Sequence, residues 1–312
     1  MVTFRTLTPE EMPTAVQLWV DVFGVEAPFF QTLLDGDPPG GISVGAFEDG
    51  KLVSSVHVFI RWFRNREGLP QKVGSIGSVS TLPEARKKGY SGKLLELAIQ
   101  EMEARDCVWS YLGTGVNDHY ARYGWRSVST PCFKGILSEA SDAQPVNKEI
   151  VTDGLLDQMG QLYLDFTRDI PMTNGRSRTM WQTAVKYRVT QANDEVFVAR
   201  ADGEMVAYLV SRRSDDRIDL IETACKEGFA EQMCGLIHKR LQAAKAEGIP
   251  MVLSTLPELS DGHRAFVESC DKTWSCEDRA WMVRPIAGRI SLPDLVAIHA
   301  DRRARRSDLD NF

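Results

Sequence analysis

The sequence predicts two α/β domains of mixed sheet, placed in tandem and built to one plan. Three observations carry that prediction. Strand and helix signals alternate through residues 1–140. The same order of signals returns after a polar stretch at Ser138–Lys148. A chain of 312 residues with 43% hydrophobic and 26% charged content can fill two ordinary cores.

Each element follows from local chemistry. Thr8 can cap a helix to about Val22, with Pro9 in its first position and Glu10 and Glu11 beside the positive end of its dipole. Ile42–Phe47 and Leu52–Phe59 are apolar, β-branched runs on either side of Asp49-Gly50, a hairpin turn. A strand over Val73–Thr81 enters a turn that carries Arg86, Lys87 and Lys88 and is loosened by Gly89 and Gly92. From Tyr90 to Arg105, Leu94, Leu95, Ala98 and Met102 recur at helical spacing. Cys107–Leu112 reads as a buried strand, followed by a Gly113–Asn117 loop and a short helix at His119–Tyr123. Ser138–Lys148, with Pro145, is the expected linker.

The second half repeats the plan. Val196–Ala201 and Met205–Ser211 flank Asp202-Gly203, and Lys226-Glu227-Gly228-Phe229-Ala230 echoes Lys87-Lys88-Gly89-Tyr90-Ser91. A helix to about Ala246 and a strand at Met251–Ser254 follow. Cys225, Glu227 and Glu231 stand where the first copy has Arg86, Lys88 and Gly92, and two carboxylates would repel an anion there. The expected division is 1–140 for a ligand-binding domain, 150–286 for a degenerate copy and 287–312 for a tail. The tail's Asp301-Arg302-Arg303-Ala304-Arg305-Arg306 reads as a solvated helix end or frayed terminus, with a binding arm as the alternative.

Composition narrows the function. A net charge of −6 argues against a broad nucleic-acid or membrane surface. No stretch reaches the ~20 apolar residues of a membrane span, and Met-Val-Thr-Phe-Arg-Thr lacks a signal-peptide core, so a cytoplasmic protein is expected. The six cysteines form no Cys-x-x-Cys pair and are expected reduced. Cys234 and His238 share a helix face without further ligands, so packing is the expected role and no metal site is predicted. Trp62, Phe63, Trp109 and Trp125 read as core and pocket wall.

Against that acidic background the turn at 86–93 stands out. It aims unpaired backbone N–H groups, a helix dipole and several cations at one point, which suits a pyrophosphate. It is not a nucleoside-triphosphate loop, because the glycine spacing is wrong and Leu94 stands where a metal-binding hydroxyl should be.

The run Arg86-Lys87-Lys88-Gly89-Tyr90-Ser91 resembles the Q/R-x-x-G-x-G/A signature of GNAT-superfamily acyltransferases. His119-Tyr120-Ala121-Arg122-Tyr123-Gly124-Trp125 is similar to their later aromatic segment. Phe23 with Asp37-Pro38, the Asp49-Gly50 hairpin, and Arg176, Arg178 and Trp181 add similarity to tandem-GNAT proteins of the Eis-like kind, strongest in the first half. Ser91 departs from the usual Gly or Ala, and the chain is too short for the sterol-carrier-like third domain of Eis-type proteins.

The resemblance implies acetyl-CoA or a related acyl-CoA as acyl donor and co-substrate. Pantetheine would pair with Val79, Ser80 and Thr81. The pyrophosphate would sit over Arg86, Lys87, Lys88, Gly89, Tyr90, Ser91 and Gly92, and Asn117 joins the donor-binding set. Val79 N–H would polarise the thioester carbonyl, and Tyr120 would act as general acid, its phenol lying close enough to a thiol in acidity to share a proton. Phe266 is the counterpart of Tyr120 in the second copy and has no hydroxyl, which points to one active site per chain. His57 and His119 are the nearest candidate bases, a water chain could replace either, and on the apolar Leu52–Phe59 run a structural role for His57 is the competing reading.

The expected function is N-acetyl transfer to a primary amine, either a small molecule or a protein amine. The alternative is a non-catalytic acyl-CoA-binding sensor, and transfer from aminoacyl-tRNA ranks last. Nucleic acid and membrane are not expected partners, and homo-oligomerisation is left open.

Overall fold

The computed structural model describes every residue except 37–39, 140–145, 191–192, 306, 311 and 312. Asp37-Pro38, Pro145 and Arg306 of the reading above lie outside the described residues.

The first half opens with β1 (Val2–Thr6), α1 (Met12–Phe23) and α2 (Ala27–Asp35), then β2 (Ile42–Glu48), β3 (Lys51–Arg64) and β4 (Pro70–Thr81). It continues with α3 (Tyr90–Ala104), β5 (Trp109–Gly113), α4 (Asn117–Ala121), β6 (Arg126–Ser127) and β7 (Thr130–Leu137). The second half carries α5 (Asp153–Phe166), then α6 (Arg178–Met180), a wide turn and α7 (Lys186–Val189). After them come β8 (Asp194–Ala201), β9 (Glu204–Arg213), β10 (Arg217–Cys225), α8 (Ala230–Ala246), β11 (Met251–Ser254) and α9 (Asp261–Glu268). The chain closes with β12 (Cys270–Asp278), β13 (Trp281–Pro285) and α10 (Leu292–His299).

The two hairpins turn on the same backbone. Asp49 and Gly50 have φ of 50° and 84°, and Asp202 and Gly203 have 50° and 83°. Both turns therefore have two left-handed residues, which matches the twist of the strands they join. Pro9–Glu11 forms a short 3-10 turn ahead of α1, and Thr8 N–H donates to Glu11 Oε2 at 2.9 Å.

Two mixed sheets result. One has the order β1-β2-β3-β4-β5-β13-β6, the other β12-β7-β11-β10-β9-β8. The halves therefore exchange strands. β7 pairs with β11 and β12 in the second sheet, while β13 lies between β5 and β6 in the first. A cut at 140–150 leaves each half holding one strand of the other's sheet. The units also share a core, where Leu33 and Phe59 pack in one cluster with Leu156, Trp181, Tyr208 and Leu309.

Two expectations are corrected. Cys132 and Cys276 form a disulfide rather than free thiols, because the β7–β12 register sets them directly opposite with Cα atoms 5.1 Å apart. The tail is not frayed. Arg305, Ser307, Leu309 and Asp310 are buried, and Asp310 pairs with the buried Arg176 at 2.7 Å. No helix among the described residues is long and apolar enough to cross a membrane.

Candidate active site

Strand β4 is the centre of the site because its two neighbours release it at the same level. Pairing with β5 ends at Ser75–Tyr111, so the two parallel strands part beyond it. On the other side β3 skips a step: His57 pairs with Gly77 and Ser55 with Ser80, leaving Ser78 and Val79 in a bulge opposite Val56. Ser78 takes a φ of 49°, an uncommon value for a residue with a side chain.

Hydroxyls lock the strand just past the bulge. Ser54 donates to the Ser80 carbonyl at 2.7 Å, the Ser55 and Ser80 hydroxyls meet at 3.0 Å, and Trp19 donates to Ser55 at 2.8 Å. Ser80 and Thr81 thus spend their side chains on β3, since Thr81 Oγ1 lies 2.7 Å from Ser54 Oγ.

The chain then enters the eight-residue turn Leu82–Gly89 before α3. Lys87 and Gly89 both sit in the left-handed region, at φ of 64° and 81°, a turn pattern that converges successive N–H groups. Among the described residues, no backbone hydrogen bond uses the N–H groups from Lys87 to Gly92. They open at the positive end of a fifteen-residue helix. Two of the three cations are engaged elsewhere. Arg86 Nε donates to the Thr81 carbonyl at 3.2 Å, and Lys88 pairs with Glu48 at 2.9 Å. Lys87 is the cation of this turn that has no acceptor among the described residues. Tyr90 turns its ring into the core, edge-on to Phe4 at 5.8 Å, so its backbone alone faces the turn.

Gly92 also has a packing reason. A Cβ there would lie 1.9 Å from the Tyr123 hydroxyl, so glycine makes room for a tyrosine. That contact ties α3 to the α4 turn. Tyr120, on α4, is buried in the same cluster as Ala85, Leu94 and Trp125, and Val79 packs against that cluster. Among the described residues its hydroxyl has no hydrogen-bond partner, and burial raises its pKa, keeping the phenol protonated. Asn117 is already committed, donating to Ser127 Oγ at 2.7 Å and to the Arg279 carbonyl at 3.0 Å.

The two histidines separate. His57 is buried against Phe59 and Trp19, with Nδ1 2.7 Å from Ser43 Oγ, a packed environment. His119 is half-buried, edge-on to Tyr120 and Tyr123, with Nε2 3.5 Å from Ser91 Oγ. Burial and the charge of Arg122 lower its pKa, so it is neutral near pH 7. Phe63, Trp109 and Trp125 are buried, whereas Trp62 is 42% exposed. Sequence reading missed the ring pair Tyr111 and Trp281, 5.9 Å apart beside the parted strands. Trp281 arrives on the exchanged strand, which no local signal reveals.

The second sheet repeats the short parallel pairing and the bulge with different side chains around them. β10 and β11 pair only through Leu220–Ser254, and a bulge follows at Leu220/Glu222. Cys225 lies in β10 rather than in a turn, and only Lys226–Phe229 separates strand from helix, so the long N–H-rich turn is missing. Glu222 is fully buried, paired with Arg176 at 2.7 and 3.0 Å, and accepts from Tyr208 at 2.7 Å, while Arg305 donates to the Thr223 carbonyl. Phe266 is buried and offers no hydroxyl.

A parted, bulged strand thus runs into an N–H-rich turn, with Tyr120 in the cluster that Val79 packs against. Residues 3–128 match the model of the acetyltransferase (GNAT) domain. The whole chain has the tandem form of that fold. It is similar to a probable N-acyltransferase from Enterococcus faecalis V583, with TM-score 0.70 and 15% identity over 92% of this chain and 73% of that one. A GCN5-related N-acetyltransferase from Anabaena variabilis gives TM-score 0.68 and 13% identity over 92% and 73%. Eis1 from Mycobacterium abscessus gives 0.63 and 14% over 92% and 74%. No curated protein sequence matches this chain.

Proposed function

We propose that this protein is an N-acetyltransferase that moves an acetyl group from acetyl-CoA to a primary amine, with one active site per chain. The observation that supports it most is the turn Lys87–Gly92, whose N–H groups stand free beside the uncommitted Lys87, at the end of a strand parted from its neighbour. A pyrophosphate fits those donors and that charge. The donor supplies an activated thioester, and the chain's residues do the rest.

Val79 N–H, on the bulge, polarises the thioester carbonyl. The Tyr120 hydroxyl, protonated and without a partner among the described residues, gives its proton to the departing sulfur. His119 is neutral and adjacent, able to take a proton from the amine directly or through water. His57 is tied to Ser43 and is left to its structural role.

Calorimetry with acetyl-CoA tests the donor site, on the wild type and on Lys87→Glu with Gly89→Glu, with thermal unfolding as the fold control. One site per chain at micromolar affinity, lost in the variant, supports the reading. No binding by the folded wild type removes it. Binding without CoA release across a panel of primary amines would favour a sensor instead.

A further inference from the structure

Strand β13 enters the first sheet from the far end of the chain and reaches the tyrosine turn. Arg284 Nε donates to the Tyr123 carbonyl at 3.0 Å, just past the end of α4. Its Nη1 donates to the Pro285 carbonyl at 3.1 Å, and the guanidinium lies 5.6 Å from the centre of the Trp125 ring. Gly124 lies beneath it with φ of 91°, and a Cβ there would stand 3.1 Å from Arg284 Nε. Trp125 in turn meets Tyr120 edge-on at 6.4 Å. The N–H groups of Tyr123 and Trp125 both return to the Tyr120 carbonyl, at 2.9 and 3.3 Å. One backbone turn and one ring contact therefore join the guanidinium to Tyr120.

Arg284 is half-buried. Among the described residues it makes no ion pair with a carboxylate; burial lowers its pKa, and the charge of Glu103 offsets part of that. Packing alone would be served by an aliphatic side chain. What only a guanidinium supplies here is a directed donor to a carbonyl left over at a helix end, together with a flat face for an indole.

We propose that Arg284 is a positioning residue for acyl transfer. It holds the α4 turn so that the Tyr120 hydroxyl faces the open edge of β4 and Tyr123 stays seated on Gly92. The proposal rests on the reading of Tyr120 as general acid. It makes the first unit's active site incomplete without a strand from the C-terminal half.

The test uses the full chain with Arg284→Gln and Arg284→Lys. Hydrogen exchange over residues 117–125 is expected to quicken about tenfold in Arg284→Gln, with the rest of the first sheet unchanged. Turnover with acetyl-CoA, using spermine and a lysine-containing peptide as acceptors, should fall roughly 10- to 100-fold while the acetyl-CoA Kd moves less than about threefold. Arg284→Lys, which keeps a donor, should recover part of both. In a Tyr120→Phe background the Arg284→Gln change should cost little more, because the two act as one unit. Unchanged exchange over 117–125, or the full loss repeated in the Tyr120→Phe background, overturns the proposal. If Tyr120→Phe alone turns over at the wild-type rate, the general-acid reading falls, and the exchange result still decides whether Arg284 holds α4. Should Arg284→Gln fail to fold, Arg284→Lys carries both measurements.

Discussion

Gly92→Ala separates two reasons for the same glycine. The motif would have it clear the way for a pyrophosphate, whereas the packing gives the space to Tyr123. An alanine Cβ would stand 1.9 Å from the Tyr123 hydroxyl and 2.7 Å from its Cζ, where ordinary contact begins at 3.4 Å. The hydroxyl must retreat by about 1.5 Å, and the half-buried ring packs against the first core and meets His119 at 5.8 Å. Overpacking of this kind costs about 1–3 kcal/mol. The gain in helix propensity from losing a glycine offsets at most about 1 kcal/mol, and less in a first turn. We therefore expect a net loss of up to about 3 kcal/mol in urea unfolding. If the space belongs to Tyr123, the same change in a Tyr123→Leu background should cost nearly nothing or stabilise. If it belongs to the donor, Gly92→Ala should leave stability intact and weaken acetyl-CoA binding equally in both backgrounds. Equal destabilisation with and without the Tyr123 ring would refute the packing account.

Tyr120→Phe should lower kcat with the acetyl-CoA Kd retained. Because burial raises the phenol's pKa, any alkaline loss of wild-type rate due to Tyr120 should fall above the ordinary phenol range in a kcat–pH profile. Burial alone would raise the pKa of Glu222, but the charges of Arg176 and Arg305 and its hydrogen bonds outweigh that and lower it to about 2. Its contribution to stability is therefore present above the unfolded carboxylate pKa of about 4.3 and is lost as pH falls toward 2, which acid unfolding of wild type against Glu222→Gln can read. Arg176→Met strands Glu222 and Asp310 in the interior and should cost about 3–5 kcal/mol, measured by denaturant unfolding. Alkylation of the unfolded chain without reductant should label four of the six cysteines, with Cys132 and Cys276 appearing only after reduction, as peptide mass spectrometry can show.

Local chemistry determined much of this protein from its sequence. Asp49-Gly50 and Asp202-Gly203 specify their turns because two left-handed residues in succession suit few side chains, and the same turns announce the duplicated plan. The strand into the cationic turn, the helix after it and the short helix bearing Tyr120 were equally legible, each depending on residues near in sequence. Other features depended on residues far apart. The exchange of β7 and β13 follows from which sheet edge each strand meets, and a strand's pattern does not encode its neighbour. The Cys132–Cys276 bond, at a sequence separation of 144, follows from that exchange. The burial of the tail required Arg176 and Asp310 to meet across the shared core. The purpose of Gly92, the commitment of Asn117 and the reach of Arg284 to the tyrosine turn were decided by tertiary structure alone. They are contacts between segments that only a folded chain brings together.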